Sequence, residues 1–194
     1  MENRCGWAQK NELMAKYHDE EWGRPLHDDQ KLFEFLIMEG MQAGLSWLTI
    51  LKKREAFRLA FDNFDVNKVA IYDQRKVDEL MSNPAIIRNK LKIEASINNA
   101  RRFLEVVDEF GSFDRYIWSF VNFQPIVNKF ENLSELPAKT ELSDLVSDDL
   151  KRRGFKFVGS TVIYAHMQAT GMVNDRLIHC FCYQECINDS SSAK

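Results

Sequence analysis

Two amphipathic helical patterns meet within residues 39–47, and this junction restricts the possible folds of the chain more than any other segment. The apolar stripe of the first pattern includes Leu36 and ends at Glu39, which places a carboxylate at the end of an apolar helix face. After a glycine-containing break, Ser46 is positioned to cap a second helix that begins with Trp47. The pattern therefore brings an acid and a large aromatic side chain to one place, which we predict to be the mouth of a pocket.

Periodicity alone favours a structural role for this pair. Buried acids are usually satisfied within the protein, so Glu39 would pair with an arginine or with backbone amides, beside a Trp47 in the core. The functional alternative is an acid that contacts a ligand beside an aromatic wall.

The composition indicates one helical domain. The chain has 194 residues, of which 45% are hydrophobic and 12% aromatic, enough for a substantial core. Only 8 glycines and 4 prolines are present, which disfavours a β-sandwich and favours helices. The formal net charge is -3, so a nucleic-acid partner would have to be bound by local basic patches, with salt-sensitive affinity.

The sequence also bears on the compartment and on the use of the cysteines. No apolar run approaches membrane-spanning length, and the first residues lack the apolar segment of a signal peptide, so we expect a cytoplasmic protein without membrane contact. The four cysteines lie only near the two chain ends, at Cys5, Cys180, Cys182 and Cys186. In a reducing compartment this distribution favours metal ligands over disulfides, and the alternative is that the cysteines have no special role.

We predict a single domain over residues 1–187, with the aromatic-rich segment 1–28 pinned to the body and a disordered Ser-rich tail over residues 188–194. Lys92 is expected to lie off the apolar stripe of the longest helix. Residues 122–141 are predicted to form an irregular connection. Helical patterns cover residues 29–41, 46–61, 66–72, 75–81, 89–107, 142–153 and 160–170, and residues 113–121 are aromatic enough to be buried.

The last two helical patterns form a helix–turn–helix unit with a glycine-rich, basic turn. Gly154 and Gly159 let the backbone approach a phosphate, and the second helix presents unpaired N–H groups and its positive dipole end to that anion. Arg153 and Lys156 flank the turn. Such a hairpin would grip duplex backbone without reading bases. The alternative is an ordinary connection with a solvated basic face.

Several unusual strings, taken together and in order, resemble the constitutive 3-methyladenine DNA glycosylases (the Tag family). The resemblance runs from residue 4 to about residue 183, so it covers nearly the whole chain. The matching strings are Cys5-Gly6-Trp7, Tyr17-His18-Asp19, Glu21-Trp22-Gly23, Glu39-Gly40, Gln42-Ala43-Gly44-Leu45-Ser46-Trp47, Trp118-Ser119-Phe120-Val121-Asn122 and Arg153-Gly154-Phe155-Lys156-Phe157-Val158-Gly159.

This resemblance implies an all-α fold of the helix-hairpin-helix glycosylase type and hydrolysis of the N-glycosidic bond of 3-methyladenine in double-stranded DNA. The free methylated base would be the product, and a monomer is expected. The damaged base is cationic, so an electron-rich aromatic box attracts it, and we assign Trp47, Tyr17 and Trp7 to that box. Glu39 matches the family's base-contacting acid, which shifts the interpretation of the 39–47 junction from structural to functional.

The resemblance also implies that the base is flipped out of the duplex while the hairpin residues Arg153, Gly154, Lys156 and Gly159 hold the DNA backbone. Leu45 could fill the gap that the base leaves, and a core role is the alternative.

The implied mechanism uses few groups of the protein. Asn174 stands at the position where related glycosylases carry a catalytic Asp, so water would be the nucleophile, with no Schiff base and no strand nicking. Glu39 would help electrostatically. Met14 replaces a tyrosine that is frequent in the family, which removes one stacking or hydrogen-bonding partner.

A structural zinc ion is implied too, but this sequence departs from the pattern. The family ties its chain ends together with Cys and His near the N-terminus and His-x3-Cys near the C-terminus. Cys5, His18 and Cys180 match as ligands, whereas the remaining His position holds Arg176. An arginine cannot ligate a metal, and its fixed positive charge would oppose Zn²⁺ if it pointed inward.

Cys182 is the preferred substitute for the fourth zinc ligand, ahead of Cys186, because a Cys-x-Cys segment can bring two thiolates to one ion. On this expectation the chain binds one structural zinc. The alternative is that no metal binds, that Arg176 turns outward, and that the chain ends pack through aromatic side chains.

Two other classes of function compete with the glycosylase. A non-enzymatic DNA-binding module would have inert residues in place of Glu39 and Trp47, and both are present. A small-molecule purine-binding protein would not need the cluster of Lys151, Arg152, Arg153 and Lys156 at one hairpin.

Overall fold

The computed structural model describes residues 3–192, with side chains described through residue 189. Within that range the chain forms ten α-helices and one small parallel sheet, so the mostly helical fold predicted from the sequence is confirmed. The strands are β1 (Ile126–Val127) and β2 (Val173–Asn174). The helices are α1 (Glu12–Glu20), α2 (Asp29–Gln42), α3 (Trp47–Ala60), α4 (Val66–Ala70), α5 (Gln74–Ser82), α6 (Lys90–Phe110), α7 (Phe113–Ser119), α8 (Glu141–Arg152), α9 (Ser160–Ala169) and α10 (Cys182–Ser192).

Helix starts fall where short polar side chains precede apolar runs. At the start of α2, Asp28 Oδ1 accepts a hydrogen bond from the backbone N–H of Lys31 at 2.9 Å. At the start of α3, Ser46 Oγ accepts from the N–H of Thr49 at 3.2 Å. Each cap satisfies one backbone donor that the helix itself cannot pair. The cap at Ser46 makes Trp47 the first residue of α3 and so fixes where its side chain starts.

Helix α2 is the central element of the fold. Every residue from Leu32 to Met41 is buried, because α3, α6, α7 and α9 all pack around this helix. A helix that is buried on all sides must be mostly apolar, and its few polar side chains have to be paired or functional. Beside α2, the rings of Phe103 and Phe113 stack with centroids 4.1 Å apart, which ties α6 to α7.

Lys92, which the sequence places off the apolar stripe of α6, is not exposed to solvent. It is buried, and its Nζ donates to the backbone oxygens of Met41 at 2.8 Å and Ala43 at 2.7 Å. These carbonyls belong to the end of α2, where helix geometry leaves acceptors without partners. The ammonium therefore closes the C-terminal end of α2 immediately before the turn that leads to Trp47.

The two ends of the chain lie against each other. The N–H of Phe181 donates to the backbone oxygen of Asn3 at 3.0 Å, and the guanidinium of Arg24 bonds to Glu185 at 2.8 Å and Asp189 at 2.5 Å. Helix α10 continues through Ser192, although the sequence predicted a disordered tail from residue 188. The anchoring by Arg24, which comes from a distant part of the chain, explains the difference. Residues 193 and 194 lie outside the described residues.

Among the described residues, no helix is both long enough and apolar enough to cross a membrane.

Lys92→Met should lower the free energy of unfolding by ~1–3 kcal/mol, because the substitution leaves carbonyls of Met41 and Ala43 without a donor. Urea denaturation measures this. The matched control is Lys90→Met, since Lys90 makes only an exposed pair with Glu94 at 3.8 Å and should change stability little. Equal effects of the two substitutions would contradict the role of Lys92.

Candidate active site

A cleft of about 320 Å³ opens at the point where α1, α2, α3 and α9 meet. The four residues that the sequence assigned to base binding, Trp7, Tyr17, Glu39 and Trp47, all line it. Trp7 comes from a short 3-10 turn, Tyr17 from α1, Glu39 from α2 and Trp47 from the first turn of α3. The structure therefore brings together side chains that are up to 40 positions apart in sequence.

Glu39 is a buried acid without a partner. Only 4% of the residue is exposed, and no described residue donates a hydrogen bond to its carboxylate. Burial raises its pKa to about 8 because the charged form loses its hydration. The other buried acid of α2, Glu34, shows the contrast, since Arg54 Nε donates to it at 2.6 Å. The structural alternative for Glu39, a buried acid paired within the protein, does not hold.

Aromatic rings form the walls around this carboxylate. The ring centroids of Tyr17 and Trp47 are 5.4 Å apart, and those of Trp7 and Tyr17 are 6.3 Å apart. Burial raises the pKa of Tyr17 well above its usual value, and the nearby Glu39 raises it further, so the phenol stays neutral. Trp47 Nε1 is a buried donor with no acceptor in the described part of the chain. The walls thus offer electron-rich rings around an unpaired carboxylate.

Met14, which the sequence analysis identified as the replacement for a tyrosine, also lines the cleft. Sequence reasoning missed the other lining residues. Gln42 lies one helical turn after Glu39, so helical spacing could have identified it. The other missed residues are Trp22, Leu136, Ala165 and Gln168, and Leu136 comes from the irregular 122–141 connection, which carries no periodic signal.

Leu45 lies on the turn between Glu39 and Trp47 and is 41% exposed. Its N–H donates to the backbone oxygen of Gln42 at 2.6 Å, which fixes the turn, but its side chain is outside the hydrophobic core. The core alternative for Leu45 is therefore excluded.

Asn174 does not line the cleft. It is buried in β2, where its Nδ2 donates to the backbone oxygen of Tyr183 at 3.2 Å. The neighbouring Asp175 is buried as well and accepts hydrogen bonds from Tyr164 at 2.5 Å and from Gln168 at 2.8 Å. Gln168 lines the cleft, so Asp175 is connected to the cleft through the amide of Gln168. Position 174 therefore holds no acid that could act on a molecule in the cleft.

Helices α8 and α9 pack against each other and are joined by the short segment 153–159. Gly154 adopts φ +88°, which a residue with a side chain rarely adopts, and Gly159 precedes α9 without any side chain to cap it. The first N–H groups of α9 are therefore open to an anion. Lys156 is exposed, while its backbone N–H and oxygen are both held by Asn99, at 2.8 and 2.9 Å. The turn is rigid, and the Lys156 ammonium makes no ion pair with any residue that the structure describes.

Arg153 is already paired within the protein, so it is not free to bind the DNA backbone as the sequence predicted. Its guanidinium donates to Glu109 at 2.7 Å and to Asp149 at 2.9 Å, and it lies over the rings of Phe110 and Tyr116. The sequence could not show that two acids from α6 and α8 would neutralise it. Arg153 is a structural tie at the base of the hairpin, which leaves Lys156 as the cation that faces outward.

The predicted metal ligands Cys5, His18 and Cys180 do converge. Their candidate ligand atoms lie within 4.8 Å of one another, and all three residues are buried. Cys182 is not part of this trio and groups instead with His18 and Asp19. Arg176 points inward rather than outward, and its Nη1 lies 3.0 Å from His18 Nε2. The fourth position of a tetrahedral site is therefore held by a guanidinium, so the residues present do not fit zinc.

The chain is similar to known proteins along nearly its whole length. The model of the family described as methyladenine glycosylase matches residues 7–183. DNA-3-methyladenine glycosylase 1 of Escherichia coli (strain K12) is 49% identical over 180 residues, which cover 93% of this chain and 96% of the relative. DNA-3-methyladenine glycosylase of Haemophilus influenzae is 47% identical over 182 residues, covering 94% and 98%. A structure of 3-methyladenine DNA glycosylase I (TAG) from Staphylococcus aureus, solved to explain 3-methyladenine recognition, matches with a TM-score of 0.89 and 38% identity, covering 92% of this chain and 95% of that one.

The burial of Glu39 makes stability depend on pH. The folded-state pKa of about 8 lies above the usual unfolded value, so the folded state holds the proton more tightly and stability falls as pH rises from about 4.5 to 8. Glu39→Gln removes this loss. We expect the variant to gain about 3 kcal/mol relative to wild type between pH 5 and pH 8, as measured by urea unfolding. A stability difference that does not change with pH would show that Glu39 is solvated or paired.

Proposed function

This chain belongs to the methyladenine glycosylase family, and we propose that it excises 3-methyladenine from alkylated duplex DNA by hydrolysing the bond between the base and its sugar. The observation that carries the proposal is the buried, unpaired Glu39 carboxylate in the wall of an aromatic cleft. The names of the two relatives support the substrate, and so does the base whose recognition the Staphylococcus aureus structure addresses.

Charge is what distinguishes the damaged base from a normal one. Methylation at N3 gives the base in DNA a positive charge, and each good contact between a cation and an aromatic face contributes ~0.5–2 kcal/mol. Tyr17 and Trp47 supply such faces, and Glu39 supplies the opposite charge. A cation in the cleft stabilises the ionised carboxylate and so lowers the pKa of Glu39. A neutral base gives neither benefit, which makes the site selective for the cationic base.

The base must leave the helix to reach this cleft, because its bond to the sugar is inaccessible within the stack. Flipping costs a few kcal/mol and is easiest for a weakly paired lesion. The open N-terminus of α9 and the Lys156 ammonium are suited to bind the DNA backbone during this step. The exposed Leu45 side chain, which projects from the turn beside the cleft, is suited to fill the space that the base leaves. The α8–α9 unit thus acts as a helix-hairpin-helix grip.

The chemistry requires little from the protein. The leaving base takes the electron pair of its bond to C1′, which neutralises its positive charge while the sugar becomes an oxocarbenium ion. Water then adds to C1′ and releases a proton. Ionised Glu39 stabilises the positive charge first on the base and then on the sugar. No lysine is among the described residues that line the cleft, so no Schiff base forms and the strand is not nicked.

Wild-type protein should release free 3-methyladenine from methylated duplex DNA, and Glu39→Gln should lower kcat/KM by ~10²–10³-fold, the usual cost of one electrostatic contact to a transition state. Because the free enzyme has a Glu39 pKa of about 8, wild-type kcat/KM should rise with pH towards that value, whereas the variant should show no such rise. Chromatography of the released bases measures both effects.

Glu34→Gln is the matched control for this experiment. Glu34 is also a buried acid on α2, but it is bonded to Arg54 and Arg58 and does not line the cleft. We expect this control to lower stability while leaving the pH profile of base release unchanged. Full activity of Glu39→Gln, with an unaltered pH profile, would assign Glu39 a structural role and remove the basis of the proposed mechanism.

Lys156→Ala should weaken binding to damaged and undamaged duplex alike and reduce the slope of log affinity against log salt by about 1, since a phosphate contact carries no sequence information. Arg153→Ala should instead lower the unfolding temperature, because it breaks the ties to Glu109 and Asp149. Fluorescence anisotropy at several salt concentrations tests the first expectation, and thermal unfolding tests the second. A loss confined to damaged DNA would contradict the assignment of Lys156.

A further inference from the structure

Arg176 is a fully buried arginine at the place where the two ends of the chain meet, with 0% of the residue exposed. It belongs to the segment between β2 and α10, and it reaches residues that precede it by more than 150 positions. A buried guanidinium is strongly disfavoured unless its donors are satisfied, so its surroundings must be specific to it.

Polar atoms from both ends of the chain surround the guanidinium. Nη2 donates to the backbone oxygen of His18 at 2.6 Å and also to the backbone oxygen of Trp22. Nε donates to Cys186 Sγ at 3.2 Å. Nη1 lies 3.0 Å from His18 Nε2, 3.4 Å from His18 Nδ1 and 4.0 Å from Cys180 Sγ. Three of the five N–H donors of the arginine are thus bonded to oxygen or sulfur, and the other two lie beside the His18 ring and Cys180.

The guanidinium lies against the imidazole ring of His18, next to the nitrogen that a metal ion would need. His18 Nδ1 bonds to Asp19 Oδ1 at 2.8 Å, which leaves the lone pair on Nε2, and Cys180 Sγ lies 3.4 Å from Nε2. Arg176 Nη1 lies 3.0 Å from Nε2 and 3.4 Å from Nδ1, a position over the ring where an ion held by His18 and Cys180 would meet the guanidinium. The fixed positive charge of Arg176 also repels a second cation at this distance.

The surrounding backbone leaves a space shaped for this side chain. Gly23 adopts φ +75°, and a Cβ atom at this position would approach Arg176 Nε to 3.3 Å, tighter than most such contacts. The guanidinium carbon lies 5.4 Å from the centroid of the Trp22 ring, a favourable position for a cation over an aromatic face. Trp22 also lines the cleft, so the buried cation supports one of its walls.

We propose that the guanidinium of Arg176 takes the place of the structural zinc that the family resemblance implies, and that the protein joins its chain ends and folds without a metal ion. Like a zinc ion, the guanidinium brings positive charge to Cys180 and His18 and connects the N-terminal segment to the C-terminal one. Unlike an ion, it is covalently part of the chain. This inference concerns the architecture behind the cleft and goes beyond the proposed glycosylase activity.

The test measures metal content and thermal unfolding, so its result is independent of base release. Wild-type protein, produced and purified with added zinc, should contain less than about 0.1 zinc per chain, and EDTA should leave its Tm unchanged. In Arg176→His, the new imidazole joins Cys5, His18 and Cys180 as a fourth ligand. This variant should bind about one zinc per chain, and EDTA should lower its Tm.

Arg176→Gln is the control that removes the cation without offering a metal ligand. It should bind no zinc and should unfold roughly 5–15 °C below wild type whether or not zinc is present. One zinc per wild-type chain would overturn the proposal, and so would a wild-type Tm that falls on chelation. A folded Arg176→His variant without zinc would also contradict the placement of Arg176 at the fourth ligand position. If that variant does not fold, the wild-type measurements alone decide.

Discussion

The Glu39 carboxylate is withdrawn from water and has no partner that replaces the lost hydration. The rest of the structure has to offset the free-energy cost of this burial. A pKa raised from the usual 4.5 to about 8 corresponds to about 5 kcal/mol against the ionised form, a large share of the ~5–15 kcal/mol that stabilises a typical domain. Burial of α2 from Leu32 to Met41 provides the compensating apolar packing. Lys92 closes the end of the same helix, so the acid is held on a rigid support.

The same unfavourable burial is the source of selectivity in the proposed function. Burial disfavours the ionised form of the acid. A ligand with a positive charge stabilises that form, so the site gains most from binding a cation. Trp47 and Tyr17 add faces that attract a cation, and neither requires charge on the protein to do so. Recognition then depends on the chemical state of the base, while the DNA contacts at Lys156 and the start of α9 are indifferent to sequence.

Features that depend on local sequence could be predicted, and those that depend on distant contacts could not. Helix α3 begins after Ser46 because a cap acts within one turn, so the positions of Glu39 and Trp47 followed from spacing. The inward turn of Arg176 depends on His18, 158 positions away, and the burial of Lys92 depends on carbonyls about 50 positions away.

The basic hairpin also shows that contacts between distant parts of the chain limit what the sequence can predict. Arg153 and Lys156 look alike in sequence, but Arg153 is paired with Asp149 on its own helix and with Glu109, 44 residues away, whereas Lys156 makes no ion pair among the described residues. Charge counts therefore predict a basic patch without showing which of its side chains are already paired. The family pattern was informative about distant contacts, because it pointed to Cys5, His18 and Cys180, whose side chains the structure brings together beside Arg176.

An arginine cross-link changes the kinetic order of folding. In a protein whose ends are joined by an ion, the final closure is a second-order step, and its rate depends on how much free metal the surroundings supply. When the guanidinium of Arg176 performs this closure, the step is first-order, and it is opposed by the entropy of bringing residues 18–23 to residue 176 and by the cost of removing the guanidinium from water. The time needed to complete the fold is then set by the chain itself and is the same in metal-rich and metal-poor cells.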